Sequence, residues 1–189
     1  MDAAYRRLHA HPSDAVRAIT VISDIVYLLT RLPFGAVAGP SLFSRFSEAI
    51  FDLANDLVDD QTWNPSQFQS PISTDLNRPA PLPDSVPFGR AKPLLVYLPL
   101  RRIFIDGYID DAISISVDID DHQLRSQHAI PPALHSVFRP PNPHESSLRD
   151  PSLADKKIRA EGTPTETKTI FGWEVNSRYF TIALPGDKV

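Results

Sequence analysis

The chain has 189 residues, the length of one domain or slightly more, so a single core is expected. Its 19 Lys and Arg against 23 Asp and Glu leave a net charge of −4, which excludes a chain-wide basic footprint for nucleic acid and requires any such contact to be local. The absence of cysteine excludes disulfides, thiolate metal sites and cysteine nucleophiles, leaving carboxylates, His, Ser, Thr and Lys to do any chemistry.

The longest mostly apolar stretch, Ala15 to Leu29, is interrupted by Arg17, Thr20, Ser23 and Asp24 and falls short of the about 20 residues that a membrane span needs. Met1 to Arg7 lacks the basic-then-apolar order of a signal peptide, so no membrane partner and an intracellular location, cytoplasmic or nuclear, are expected. Prolines are unusually frequent, 19 against 7 glycines, and regular elements must fit between them.

In chain order, Asp14 to Arg31 is rich in β-branched residues with Ser23-Asp24 at its centre, which reads as two strands, VRAITVI and IVYLLT, and less well as one buried helix. After Gly39-Pro40-Ser41, the residues Phe43, Phe46, Ile50, Leu53 and Leu57 recur at helical steps, predicting a helix over 42–58 with those five on its core face. Prolines at 65, 71, 79, 81, 83, 87 and 93 predict a long irregular loop over 63–93. Strands return as LLVYLPL, RRIFID and AISISV, the last alternating Ala112, Ser114 and Ser116 with Ile113, Ile115 and Val117. Pro131 predicts a helix start for ALHSVF, ending at the break 139–143. A short helix is expected over Leu153 to Ala160, and KTIFGWEV and RYFTIAL are read as strands around Asn176-Ser177.

Gly107-Tyr108-Ile109-Asp110-Asp111 lies between two of these strands, which places adjacent carboxylates at a hairpin tip. Neighbours on a strand project to opposite sides, so one of the pair can ligate a metal directly while the other supports it. The EF-hand alternative for Asp118, Asp120 and Asp121 fails, because Gln123 and Ala129 stand where that loop needs Gly and Glu. His9 and His11 have no clustered ligands beside them and read as solvated histidines.

In this order, MDAAYRRLHAHP, RLPFGAVAGPSLF, FIDGYIDDAISISV and EGTPTETKTIFGWEV resemble the successive palm motifs of retroelement reverse transcriptases. The resemblance runs from Asp2 to about Pro185, leaving 186–189 as a short end, and within the family the chain is most similar to eukaryotic retrotransposon polymerases of the Gypsy or tyrosine-recombinase kind. It implies an α+β palm, an antiparallel sheet carrying Asp110 and Asp111 and backed by the 42–58 helix and a second helix near Ala133.

The resemblance also implies site roles. Asp110 matches the metal-ligating aspartate of the family's Tyr-x-Asp-Asp turn, and Asp111 matches its partner, which contributes charge and orientation to a site for two Mg²⁺ ions. Tyr5 matches a steric gate against ribose, with a half-buried strand tyrosine as the plain alternative. Phe34 and Gly35 match the loop beneath the incoming nucleotide, Gly35 allowing close backbone approach. Lys156 and Lys157 fall where the family places a lysine that protonates pyrophosphate, with the choice between them open. Gly172 and Trp173 match the hairpin that grips the primer, a core aromatic being the alternative for Trp173. The implied partners are an RNA or DNA template with a DNA primer, and deoxynucleoside triphosphates.

The family's first catalytic aspartate stands five residues before the gate aromatic, which falls one residue upstream of Met1, and Asp2 is displaced from it by roughly 6–7 Å along a strand. The expectation is therefore a palm fragment with little polymerase activity as written, derived from a start assigned to an internal methionine or from a decayed element. Uncovered sheet edges predict self-association. The alternative reading is a non-enzymatic relic or scaffold with residual nucleic-acid or cation binding.

Overall fold

The computed structural model describes residues 7–15, 17, 19–33, 35–67, 92–93, 103–117, 119–140, 142, 144 and 151–186. Tyr5, Phe34, most of the 63–93 loop and the expected strand LLVYLPL lie outside the described residues.

A single helical turn, α1 (Pro12–Ala15), precedes β1 (Ile19–Ile22) and β2 (Ile25–Leu28), which pair antiparallel with Val21 opposite Val26. Ser23 and Asp24 between them have φ of 49° and 64°, the left-handed pair that a two-residue hairpin turn demands, so the strand reading of this stretch holds and the helix reading does not. Every residue of both strands is exposed, and the hairpin stands away from the core. At its base, Ala10 N–H donates to Thr30 O at 3.0 Å and Leu32 N–H to Leu8 O at 2.9 Å, laying the first motif segment alongside the second.

Helix α2 (Gly39–Asp59) has Pro40 in its first turn, where a missing N–H costs nothing. Its buried face is Phe43, Ser47, Ile50, Phe51, Ala54 and Val58. The predicted stripe is corrected: Phe46 and Leu53 are 39% and 41% exposed, while Phe51 and Ala54 are buried. The reason is that α2 has two partners. A strand hairpin lies against Phe51, and a second helix requires the small residues Ser47 and Ala54 to come close.

That second helix, α3 (His122–Val137), begins nine residues before the predicted start at Pro131 and contains both Pro131 and Pro132. Its buried positions include Arg125, Ser126 and His128 beside Ala129, Ala133 and Leu134, so no apolar period announces its first half. An outside hold compensates for the two backbone donors that the prolines remove. The Arg125 guanidinium, 8% exposed, donates to the carbonyls of Val58 at 3.2 Å, Leu57 at 3.2 Å, Trp63 at 2.9 Å and Asp60, and lies 5.2 Å from the Trp63 ring centroid. These are the last carbonyls of α2 and the turn beyond it, which have no helical partner of their own and which attract a cation.

Strands β4 (Ile103–Tyr108) and β5 (Asp111–Ser116) pair in register from Ile103 opposite Ser116 to Tyr108 opposite Asp111. The face turned to the helices is the one carrying Ile103, Ile105 and the small residues of β5, with Ser114 hydroxyl bonded to Ser126 hydroxyl. No residue of β5 is fully buried: Ile115 and, just beyond the strand, Val117 are 46% and 43% exposed, Ile113 is half-buried, and Ala112 and Ser114 are exposed. Small side chains let α3 approach the sheet, which large ones would prevent. The core comprises Ile50, Phe51, Ala54, Val58, Trp63, Ile103, Ile105, Ala129, Ala133, Leu134 and Leu153.

Helix α4 (Asp155–Glu161) matches the expected short helix. KTIFGWEV divides into two strands, β6 (Thr167–Ile170) and β7 (Trp173–Asn176), because Phe171 and Gly172 both take positive φ, 50° and 81°, and turn the chain. With β3 (Lys92–Pro93) and β8 (Thr181–Ala183) they form an antiparallel sheet in the order β3-β8-β7-β6. The architecture is thus mixed α and β, its described strands falling into small antiparallel sheets, with α2 and α3 behind the β4–β5 hairpin.

Arg125→Ala is expected to lower stability by about 3 kcal/mol or more, since it strips donors from buried carbonyls and empties the space over Trp63. Arg125→Lys should restore only part, because one ammonium cannot reach all four carbonyls; urea unfolding of the two variants checks both. Burial of His135 lowers its pKa below the ordinary 6.5, so the unfolded chain takes up its proton first as the pH falls. Stability is therefore expected to decline below pH 6.5, and His135→Gln to weaken that decline in melts recorded from pH 7.5 to 5.

Candidate active site at the hairpin tip

The β4–β5 turn consists of Ile109 and Asp110, with Asp111 opening β5, so both carboxylates sit at the tip as their spacing predicts. Ile109 has φ of 55°, a left-handed conformation that a β-branched residue resists. Such strain persists only where surrounding structure over-determines it, and it concentrates at functional sites.

Helix α2 provides that determination at two points one turn apart. The Asn55 side-chain amide donates to Ile105 O at 2.7 Å and accepts from Ile105 N–H at 3.0 Å, so one side chain satisfies both outward backbone groups and closes this edge of β4. Phe51, 4% exposed, lies beneath Gly107, where a Cβ would come within 2.4 Å of the ring and 2.3 Å of Asp111 O.

From the other side, α4 brings Lys157, whose Nζ donates to Asp111 Oδ1. The hydrogen bond to Asp111 raises the Lys157 pKa above the ordinary 10.5, and the charges of Asp111, Glu161 and Asp110 add to it against a smaller burial effect. Of the two candidate lysines it is Lys157 that meets the carboxylates; Lys156 is exposed on the next position of the helix. Helix α4 is itself held at its C-terminus by Lys168 of β6, which donates to the carbonyls of Glu161 and Thr163, the latter at 3.2 Å. Burial lowers the Lys168 pKa.

The β6–β7 hairpin reaches the same tip. Phe171 meets Tyr108 edge to face, ring centroids 5.7 Å apart and planes at 80°. Gly172 completes the turn, and Trp173 is 46% exposed, so it is no core aromatic. Asp110, Asp111, Lys157 and Phe171 line one cavity of about 740 Å³ with Glu161, Lys168 and Arg178. Gly35, at φ 86°, lies in its own turn before α2 and is not among the residues lining that cavity.

Sequence reasoning did not single out Asn55, Phe51 or Gly107. The glycine immediately before the Tyr-x-Asp-Asp turn is the one signal that could have pointed to a close approach there.

For a divalent cation the tip offers two carboxylates, and no group of three or more His, Asp and Glu side chains converges among the described residues. Mg²⁺ is commonly held by one or two carboxylates, the remaining positions going to water and substrate phosphate, so the donor set fits that ion in the presence of a phosphate-bearing substrate. No protein family, curated protein or solved structure matches the chain in comparisons of sequence and fold.

The Lys157–Asp111 pair is half exposed and contributes little stability, at most about 1 kcal/mol. Because the lysine pKa is raised, that contribution is complete below the ordinary lysine pKa and disappears only as the pH climbs through the raised value. At pH 8.5 Lys157 is therefore expected to acetylate more slowly than Lys156, and Asp111→Asn to remove the difference, read by mass spectrometry of the labelled peptides.

Proposed function

We propose that this chain is the palm of a retrotransposon reverse transcriptase, which in its full-length form transfers deoxynucleotides to a DNA primer on an RNA or DNA template. The observation that carries this reading is the convergence on one hairpin tip of Asp110 and Asp111, Lys157 from α4, and the Phe171-Gly172 turn, from motifs far apart in sequence.

In this reading, Asp110 would hold Mg²⁺ with Asp111 contributing charge and orientation, and the ion would supply Lewis-acid activation of a primer hydroxyl and charge stabilisation for a leaving pyrophosphate. Lys157, protonated across the neutral range, stands beside the carboxylates to receive the negative pyrophosphate and to give it a proton. Trp173, half exposed next to Phe171-Gly172, offers an aromatic surface to the primer strand. By the family resemblance, the role of sugar gate falls to Tyr5 and that of the loop beneath the nucleotide to Phe34 and Gly35. The exposed β1–β2 hairpin supports the expected self-association.

The Lys157–Asp111 ion pair favours a second reading. A carboxylate already paired with an amine suits a non-enzymatic scaffold that keeps only cation or nucleic-acid binding. Mg²⁺-dependent primer extension on an RNA template separates the two, run on this chain and on one extended upstream through an aspartate five residues before Tyr5. Extension by the longer chain alone, abolished by Asp110→Asn, is the expected result. Extension by the 189-residue chain, also abolished by Asp110→Asn, would assign the missing ligand to Asp2. Silence in both would overturn the polymerase reading in favour of the scaffold.

A further inference from the structure

Gly107 is a glycine without a conformational excuse. It sits inside regular β4, paired with Ala112, and its φ is not in the left-handed region. What requires it is space: an added Cβ would be caught between the Phe51 ring, 2.4 Å from Cζ and 2.7 Å from Cε2, and the backbone carbonyl of Asp111 at 2.3 Å. None of those distances is tolerable, and one obstacle is the backbone of the site itself.

The Phe51 ring is buried in a helix that cannot retreat. Asn55, one turn further along α2, grips Ile105 by both backbone groups, so the spacing between α2 and β4 is set two residues before Gly107. Strand β4 therefore rests on the Phe51 ring at Gly107 and is tied down at Ile105. Beyond this support the chain turns through strained Ile109 into Asp110 and Asp111.

We propose that Phe51 and Gly107 are positioning residues that set the height of the hairpin tip over α2, and thereby determine that Asp111 is the carboxylate that meets Lys157. The consequence for nucleotide transfer rests on the polymerase reading, whereas the placement of Asp111 does not. A methyl group at position 107 must displace the ring, the Asp111 peptide or both; the Phe51 ring borders the cavity and has room to shift, but the Asp111 carbonyl, 2.3 Å from the added Cβ, is backbone and must move whatever the ring does. The Asp111 peptide is the part that yields.

The test uses a carbodiimide, which joins an amine to a carboxylate only where they are in contact, on the full 189-residue chain. The yields of the Lys157–Asp111 and Lys157–Asp110 links are measured by mass spectrometry, with circular dichroism confirming that each variant is folded. In the parent the Asp111 link is expected to dominate. Gly107→Ala should reduce it at least fivefold, and adding Phe51→Leu, which opens room beneath the strand, should restore at least half. If Gly107→Ala does not fold, Phe51→Leu alone carries the test, since loss of the ring frees the tip and should divide the link between Asp110 and Asp111.

An unchanged link in folded Gly107→Ala overturns the proposal, as does a loss that Phe51→Leu does not restore, or an unchanged pattern in Phe51→Leu when that variant stands alone. These yields involve neither metal nor template. A failure of primer extension with the expected link pattern would thus reject the polymerase reading and leave the support intact.

Discussion

A buried guanidinium joins the two helices on which the candidate site rests. Arg125 enters from the first turns of α3 and donates to the carbonyls at the C-terminal end of α2 and in the turn after it, while its plane lies over Trp63. A buried cation is costly when unpartnered, but here its hydrogens meet carbonyl groups at and just beyond a helix end, so the carbonyls left without a helical partner and the guanidinium reduce each other's penalty. The negative end of the α2 dipole favours the charge further. This linkage also explains how α3 continues through Pro131-Pro132, since its N-terminal half is fixed from outside the helix.

With α2 and α3 locked together, the β4–β5 hairpin has a floor. Asn55 and Phe51 hold β4 from α2, and the small face of β5 allows α3 to approach until Ser126 and Ser114 bond. A turn containing a β-branched residue at positive φ does not persist by local preference; it requires such support on both strands. The strained tip is then a fixed platform for two carboxylates, and α4, itself capped by Lys168, completes it with Lys157. Such a fixed platform is what the proposed nucleotidyl transfer would require.

Local signals were legible where one interaction dominates. Ser23-Asp24 announces a turn because few residue pairs accept left-handed backbone, and the Asp110-Asp111 tip follows from strands on either side of a two-residue turn, whereas the turn at Phe171-Gly172 interrupts a stretch that reads as one strand. Helix α2 was legible from its apolar period, but its orientation was not, because Phe46 and Leu53 satisfy the same period as Phe51 and Ala54 and only the partners decide which face is covered. The first half of α3 was illegible, as its buried positions are Arg125, Ser126 and His128, residues that enter a core only when a specific partner awaits them.

Along the chain, the residues by themselves determined the hairpin turns, the length of α2 and the pairing of carboxylates at one tip, since backbone conformation and side-chain period are properties of neighbours in sequence. The tertiary structure alone decided which lysine reaches Asp111, which serine of β5 meets α3 and why position 107 carries no side chain. Those outcomes depend on contacts between segments separated by tens of residues, such as Lys157 with Asp111, Arg125 with Val58 and Phe51 with Gly107, and a periodic pattern contains no information about which distant group will fill a given space.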